Sequence, residues 1–153
     1  MRSGRERSVA DMPQQPGVLV VDDEPSVRLF TCRALQREGY RVREASDGAA
    51  ALRILQQHPR EFGLLIADLV MPVMDGGELA RRVLRSSMPL PVLLVSGYPK
   101  DMLKALGVQY PGLPFLQKPF TVEQLIATVG ALVGGHRSRT ANEAMADSQL
   151  HRA

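Results

Sequence analysis

Residues 18–25 read Val18-Leu19-Val20-Val21-Asp22-Asp23-Glu24-Pro25, and this stretch decides the fold. Its apolar run is uninterrupted, as in a parallel strand covered by helices on both faces. Pro25 has the fixed φ that suits a first helical turn. The reading is therefore a strand that ends in two acids and passes directly into a helix. Val27, Phe30, Thr31, Ala34 and Leu35 then supply the i, i+3, i+4, i+7, i+8 stripe, and Gly39 marks its stop. Leu64-Leu65-Ile66-Ala67 and Val92-Leu93-Leu94-Val95 repeat the buried-strand pattern, whereas Arg41-Val42-Arg43-Glu44-Ala45 alternates and Phe115-Leu116-Gln117 is brief. These last two suit the edges of a sheet. Asp75 is placed as an N-cap with Glu78 three residues on, and Met74 and Leu79 are spaced as a hydrophobic staple. Thr121 and Gln124 repeat the capping pattern ahead of Leu125, Val129 and Leu132, while residues 47–57 and 99–107 carry weaker helical patterns. Five βα units with short links predict an α/β fold, a right-handed doubly wound sheet between two helical layers.

The 153 residues, 44% hydrophobic and 23% charged, suit one domain. A chain of this length buries roughly 68–70% of its unfolded surface, enough for a core without disulfides. The organisation expected is an N-terminal tail over 1–16, a domain over 17–135 and a C-terminal tail over 136–153, in which Ala141 to Leu150 form a short polar helix. A single cysteine, Cys32, excludes a disulfide framework or a cysteine-built zinc site and suits a reducing compartment. No apolar run approaches the ~18 residues of a membrane-spanning helix. Arg2, Arg5 and Arg7 lead into Met12-Pro13-Gln14-Gln15-Pro16 rather than an apolar stretch, so no secretory signal is expected. A cytoplasmic protein without a membrane partner is the expectation. The formal net charge is +3, yet residues 17–135 hold 13 basic and 12 acidic side chains, so the surplus is spread thin. Nucleic-acid binding wants basic charge gathered on one face, and no such gathering is visible. His58 and His136 are isolated, Cys32 beside the helical stripe reads as inert, and Met71 and Met74 read as packing residues.

In an open parallel sheet the working crevice lies beyond the carboxyl ends of the strands. The first predicted strand ends in Asp22-Asp23, the third in Asp68, the fourth in Ser96-Gly97 and the fifth in Lys118-Pro119. Three carboxylates, a hydroxyl and an ammonium thus converge on one rim from positions far apart in sequence. Carboxylates brought together repel by up to ~4 kcal/mol per pair at about 4 Å and an effective dielectric near 20. Lys118 compensates one charge. A hard divalent cation held by one or two carboxylates and water, as Mg²⁺ prefers, compensates the rest. Such a cation recruits phosphoryl oxygens, and one of the acids is then placed as a nucleophile able to form an acyl phosphate.

At these residues the chain resembles a receiver domain of a bacterial two-component response regulator. The resemblance is carried by residues 18–25, by Asp68-Leu69-Val70-Met71-Pro72-Val73-Met74-Asp75-Gly76, by Ser96-Gly97-Tyr98-Pro99 and by Phe115-Leu116-Gln117-Lys118-Pro119-Phe120, in order across residues 17–133. It implies a flavodoxin-like (βα)5 fold with strand order 2-1-3-4-5. It further implies that Asp68 accepts a phosphoryl group from a histidine kinase or histidine phosphotransfer protein. Asp22 and Asp23 would hold Mg²⁺ with Asp68 and the backbone carbonyl of Val70. Ser96, Gly97 and Lys118 would contact the phosphoryl group, with a cis peptide between Lys118 and Pro119. Ser96 and Phe115 would be the switch, drawn inward together. Output to a downstream protein, and any oligomer, would use the 99–133 face.

Two positions depart from the commoner pattern of that family. Val70, two after the acceptor, is apolar and Tyr98, two after Ser96, is bulky, which together imply shielding of an acyl phosphate from water. The 18 residues after 135 are too few for an output domain, and the Ser96-Gly97-Tyr98-Pro99 stretch resembles receivers fused to hybrid histidine kinases; Met1 and the tail favour a whole gene product instead. Two other functions compete. One is a receiver-like interaction module that never carries phosphate, against which the full set of acids, hydroxyl and lysine speaks. The other is a Mg²⁺-dependent phosphohydrolase of the haloacid dehalogenase type, which needs a second aspartate where this chain has Val70.

Overall fold

The computed structural model describes residues 16–108 and 112–134. Five strands, β1 (Gly17–Val21), β2 (Val42–Ala45), β3 (Phe62–Asp68), β4 (Val92–Ser96) and β5 (Phe115–Gln117), form one sheet in the order β2-β1-β3-β4-β5. Every pairing is parallel. Helices α1 (Pro25–Arg37), α2 (Gly48–Gln57), α3 (Gly76–Arg85), α4 (Lys100–Ala105) and α5 (residues 122–134) alternate with the strands. The order 2-1-3-4-5 and the edge places of β2 and β5 agree with the sequence reading. The expectations for residues 1–15 and 135–153, the Ala141 to Leu150 helix included, lie outside the described residues.

Alternation within the apolar runs builds two cores rather than one. Leu19, Val21, Leu65, Ala67, Val92 and Leu94 face one side of the sheet, where Ala51 of α2, Leu79 and Val83 of α3 and Leu103 of α4 join them. Val18, Val20, Leu64, Ile66, Leu93 and Val95 face the other, against Leu35 of α1 and Leu125 and Val129 of α5. Full burial of each such side chain stabilises by ~1.5–3 kcal/mol, and the three central strands contribute most of the side chains named here. Arg43 and Glu44 on β2 stay exposed, as an edge allows.

The caps follow the spacing. Asp75 accepts from the Glu78 N–H at 2.8 Å. Thr121 and Gln124 satisfy each other's backbone N–H groups reciprocally, at 2.9 and 3.1 Å. Met74 packs against the core cluster that contains Leu79.

Two helices differ from expectation. On α1 the buried residues are Thr31, Cys32, Ala34 and Leu35, while Phe30 is 43% exposed. The periodicity defines the width of a buried arc but not its centre. Here the arc is turned so that Cys32 faces the sheet, and the Phe30 ring stands 6.2 Å from the Phe120 ring at the rim. Helix α4 is also shorter than residues 99–107, because only Leu103 anchors it to the core and Gly107, at φ 73°, follows its last turn.

Candidate functional site

Each carboxylate reaches the rim because its strand stops there. β1 ends at Val21, and Asp22 still donates its N–H to the Ala45 carbonyl at 3.2 Å, so its side chain emerges at the sheet's end. β3 ends at Asp68, which lies in register with Val95 of β4. Beyond it the chain turns back sharply: the Gly76 N–H bonds the Leu69 carbonyl at 2.9 Å, and a Cβ at Gly76 would collide with the Asp68 carbonyl oxygen. Glycine at 76 is thus what lets α3 begin directly beneath the end of β3, a steric role that the sequence showed only as a letter.

The structure brings four of the expected side chains together. Lys118 donates to Asp22 Oδ2 at 2.9 Å and to Asp68 Oδ2 at 3.1 Å. Carboxylate oxygens of Asp22, Asp23 and Asp68 all lie within 4.8 Å of one another. Asp22 and Asp68 are buried, at 3% and 5% exposure, and Asp23 is exposed. The remaining oxygens are also engaged, since Asp22 Oδ1 accepts from the Glu24 N–H at 2.9 Å and Asp68 Oδ1 from the Val70 N–H at 3.3 Å. Neither acid is the N-cap of α1: that residue is Glu24, and its side chain makes no capping hydrogen bond.

Three negative charges face one ammonium here, leaving an excess of two. Burial pushes the Asp68 carboxyl above its usual range and the charge of Asp22 pushes the same way, against the pull of Lys118. Burial opposes the charge on Lys118, but its hydrogen bond to Asp22 and the charges of Asp68 and Asp22 outweigh that, so its ammonium is held more firmly than usual. An all-oxygen donor set with a surplus of two negative charges fits a hard divalent cation and does not fit a soft, thiolate-seeking metal. No buried side-chain nitrogen or oxygen among the described residues lacks a partner.

The other expected residues take their places around this group. Ser96 ends β4 fully buried, and its hydroxyl accepts from the Tyr98 N–H at 3.1 Å. Its carbonyl receives the Lys118 N–H at 2.8 Å, so the ends of β4 and β5 are tied at the site. The Lys118–Pro119 peptide is cis. A Cβ built on Gly97 meets nothing within 4 Å, so the glycine faces open space. Gly97 and Lys118 line a cleft of about 600 Å³ whose other walls include Val27, Phe30, Pro119 and Phe120. Phe115 is half-buried on β5, with Lys100 Nζ 5.6 Å from its ring centroid. Val70 and Tyr98 stand 39% and 42% exposed.

One residue at the site was not foreseen. Arg28, one turn into α1, donates from Nη1 to the carbonyl oxygen of Asp22 at 2.7 Å. A side chain that binds a backbone carbonyl leaves no mark in residue spacing, so only the folded chain reveals it.

Comparison with known proteins agrees with this geometry. Residues 18–130 match the family model described as the response regulator receiver domain. The sensor kinase CckA of Brucella abortus is 38% identical over 119 residues, covering 78% of this chain but only 13% of the kinase. The response regulator receiver protein CpdR of the same organism is 35% identical over 109 residues, covering 71% of this chain and 89% of CpdR. Among solved structures, the chemotaxis protein CheY4 of Vibrio cholerae superposes with a TM-score of 0.65 at 33% identity, over 77% of this chain and 98% of CheY4. No helix among the described residues is long and apolar enough to cross a membrane.

Proposed function

The chain belongs to the response regulator receiver family, and from that premise we propose that Asp68 is a phosphoacceptor in a two-component or phosphorelay pathway. The observation that carries this reading is the Lys118 ammonium bridging two buried carboxylates, Asp22 at 2.9 Å and Asp68 at 3.1 Å, beside exposed Asp23. Asp22, Asp23, Asp68 and the Val70 carbonyl would hold Mg²⁺ in this reading, and the cation would supply neutralising charge to the phosphoryl oxygens.

The reaction follows from what each group offers. A carboxylate oxygen of Asp68 attacks the phosphorus of a donor phosphohistidine, the P–N bond breaks, and the imidazole leaves with the electron pair. Lys118, already seated between the acids, turns its ammonium to the arriving phosphoryl oxygens. Ser96 gives up its bond to the Tyr98 N–H and donates its hydroxyl to the phosphoryl group, and Gly97 keeps the approach open. The donor, a histidine kinase or histidine phosphotransfer protein, docks in the cleft walled by Val27, Phe30 and Phe120, whose apolar surface it covers. Displacement of Ser96 draws Phe115 inward and alters the 99–133 face, which a downstream protein or a second copy reads. About 1.5–2 negative charges arriving at Asp68 drive this change, and the hydrogen bonds they recruit, at roughly 1.5–3 kcal/mol each, match the ~5.5 kcal/mol of a near-complete population swing. The domain signals rather than turns over a substrate, and it assists its own phosphorylation and dephosphorylation. A cytoplasmic location belongs to the same proposal and is consistent with the free thiol of Cys32.

Incubation with acetyl phosphate and Mg²⁺, followed by intact mass measurement, tests the reading. Wild type gains one phosphoryl group and Asp68→Ala gains none. An unmodified wild type overturns the proposal, and label retained by the variant misplaces the acceptor. Rapid multiple turnover of the donor would indicate a hydrolase.

A further inference from the structure

Asp22 is held at every polar atom it has. Its N–H donates to the Ala45 carbonyl at 3.2 Å, Oδ1 accepts from the Glu24 N–H at 2.9 Å, Oδ2 accepts from Lys118 at 2.9 Å, and its carbonyl oxygen accepts from Arg28 at 2.7 Å. Three of those partners are backbone of the adjoining elements or part of the charged group itself. Arg28 is different, since it is a side chain on α1 reaching back over the turn that carries both Asp22 and Asp23. Its guanidinium is largely buried, with the side chain 16% exposed, and its Nε lies 3.8 Å from Glu44 Oε1 on β2. Glu44 in turn accepts weakly from the Cys32 thiol at 3.6 Å. Burial has pushed that thiol up to about 12, with Glu44 adding to the shift, so Cys32 stays a neutral donor and does not compete with Arg28 for charge.

We propose that Arg28 is a positioning residue that clamps the Asp22–Asp23 turn from behind, and thereby sets how tightly these acids hold a divalent cation, with Glu44 orienting its guanidinium. The inference rests on the reading of the acids as a cation site. The physical reason is economy of motion. Asp22 and Asp23 are consecutive, so their carboxylates share one stretch of backbone; fixing the carbonyl between them fixes the peptide plane that aims Asp23, the exposed member of the set. Groups that orient metal ligands without touching the metal are commonly worth about 10–100-fold in affinity. The short bond to a carbonyl outranks the 3.8 Å ion pair. A pair with one partner more than half exposed contributes little by itself, so Glu44 acts as a minor orienting group.

The decisive measurement is the affinity of the full chain for Mn²⁺, followed by electron paramagnetic resonance, beside thermal unfolding without metal. Arg28→Gln is expected to weaken binding about 10-fold, while Arg28→Lys, which keeps one donor for the carbonyl but not the fork, falls between it and wild type. Glu44→Gln is expected to weaken binding by about 2-fold, and the Arg28→Gln/Glu44→Gln pair to be no worse than Arg28→Gln alone, because Glu44 acts only through Arg28. Arg33→Gln, an exposed arginine on the same helix, serves as the control and leaves affinity unchanged. A folded Arg28→Gln protein with wild-type Mn²⁺ affinity overturns the inference. If that variant does not fold, wild-type affinity in Arg28→Lys together with Glu44→Gln does the same. Wild type that binds no Mn²⁺, indistinguishable from Asp23→Ala, would overturn the cation site itself, and with it this clamp.

Discussion

At the carboxyl end of the sheet, Lys118 meets two aspartates whose side chains are only 4% and 7% exposed. At the amino end, Glu61 receives Arg43 at 2.8 Å and His58 at 3.2 Å in a network where the Arg43 side chain is 46% exposed. Both are clusters of a few opposite charges at the margin of the same five strands. They titrate in opposite directions: Asp68 is pushed up, first by burial, whereas Glu61 is pulled down, first by its hydrogen bond to Arg43. Proximity of opposite charge therefore does not by itself make a reactive group. Desolvation without enough compensating charge does, because it leaves a carboxylate that gains from any cation or proton brought to it.

Removing the ammonium that bridges Asp22 and Asp68 should have the largest effect. Lys118→Met leaves Asp22 and Asp68 buried without their partner, a situation that costs several kcal/mol when a buried pair is halved. Proton uptake by Asp68 offsets part of this, so a loss at the low end of about 3–5 kcal/mol is expected in chelator at neutral pH. Urea denaturation checks it. Addition of Mg²⁺ at free concentration c should recover stability as RT ln(1 + c/Kd), as any ligand that binds only the folded state does. A Lys118→Met protein as stable as wild type in chelator would mean that the site is not electrostatically loaded.

The reverse change should stabilise. Asp68→Asn removes the charge whose burial pushes the carboxyl up, and the variant is expected to be more stable than wild type in chelator at neutral pH. The sign follows from linkage. A carboxyl raised on folding contributes stability that is fully present below its unfolded pKa, near 4, and is lost as pH rises through the folded value. Asparagine does not titrate, so the difference between variant and wild type should be small near pH 4 and full at pH 7–8. Unfolding midpoints measured across that range check both the sign and the window. A variant less stable than wild type at neutral pH would show that the Lys118 contact outweighs burial.

Much of this end of the molecule was legible because its residues terminate apolar runs. Val18 to Val21 and Leu64 to Ala67 can hardly be anything but central strands, so Asp22, Asp23 and Asp68 had to surface at one rim, and Lys118 followed from the short fifth strand. Phe30 misled because the spacing of Val27, Phe30 and Thr31 gives the arc of a helix but not its rotation about the axis. Arg28 stayed hidden because its partner is a carbonyl, which every residue possesses. Gly76 was visible, yet its reason depends on where the last carbonyl of β3 lies relative to the first turn of α3, a distance that only the folded chain defines.

Water access separates the two ends as well. The amino-end network is open to solvent, whereas at the carboxyl end buried Asp68 accepts from the N–H of Val70, whose side chain is apolar. Val70→Asn introduces a group able to hold a water near the acyl phosphate, and is expected to speed loss of the phosphoryl group about 3-fold, less than 1 kcal/mol of barrier. Decay of purified phosphoprotein, followed by intact mass, reads the rate directly. Equal decay in both proteins would remove the shielding role of Val70.

The smallest effect belongs to the amino end. Glu61→Gln removes the negative charge that faces both Arg43 and His58, yet every member of that network keeps contact with water, so the charges left behind are solvated rather than stranded. Because Glu61 is pulled down on folding, whatever it contributes is present above its unfolded pKa and lost as pH falls through the folded value. At pH 7 the urea midpoint of Glu61→Gln should coincide with that of wild type within the error of the curve, and raising the salt concentration should erase any residual gap. A loss approaching that of Lys118→Met would mean that the two clusters are coupled through the sheet, and that exposure is not what separates a reactive cluster from an inert one.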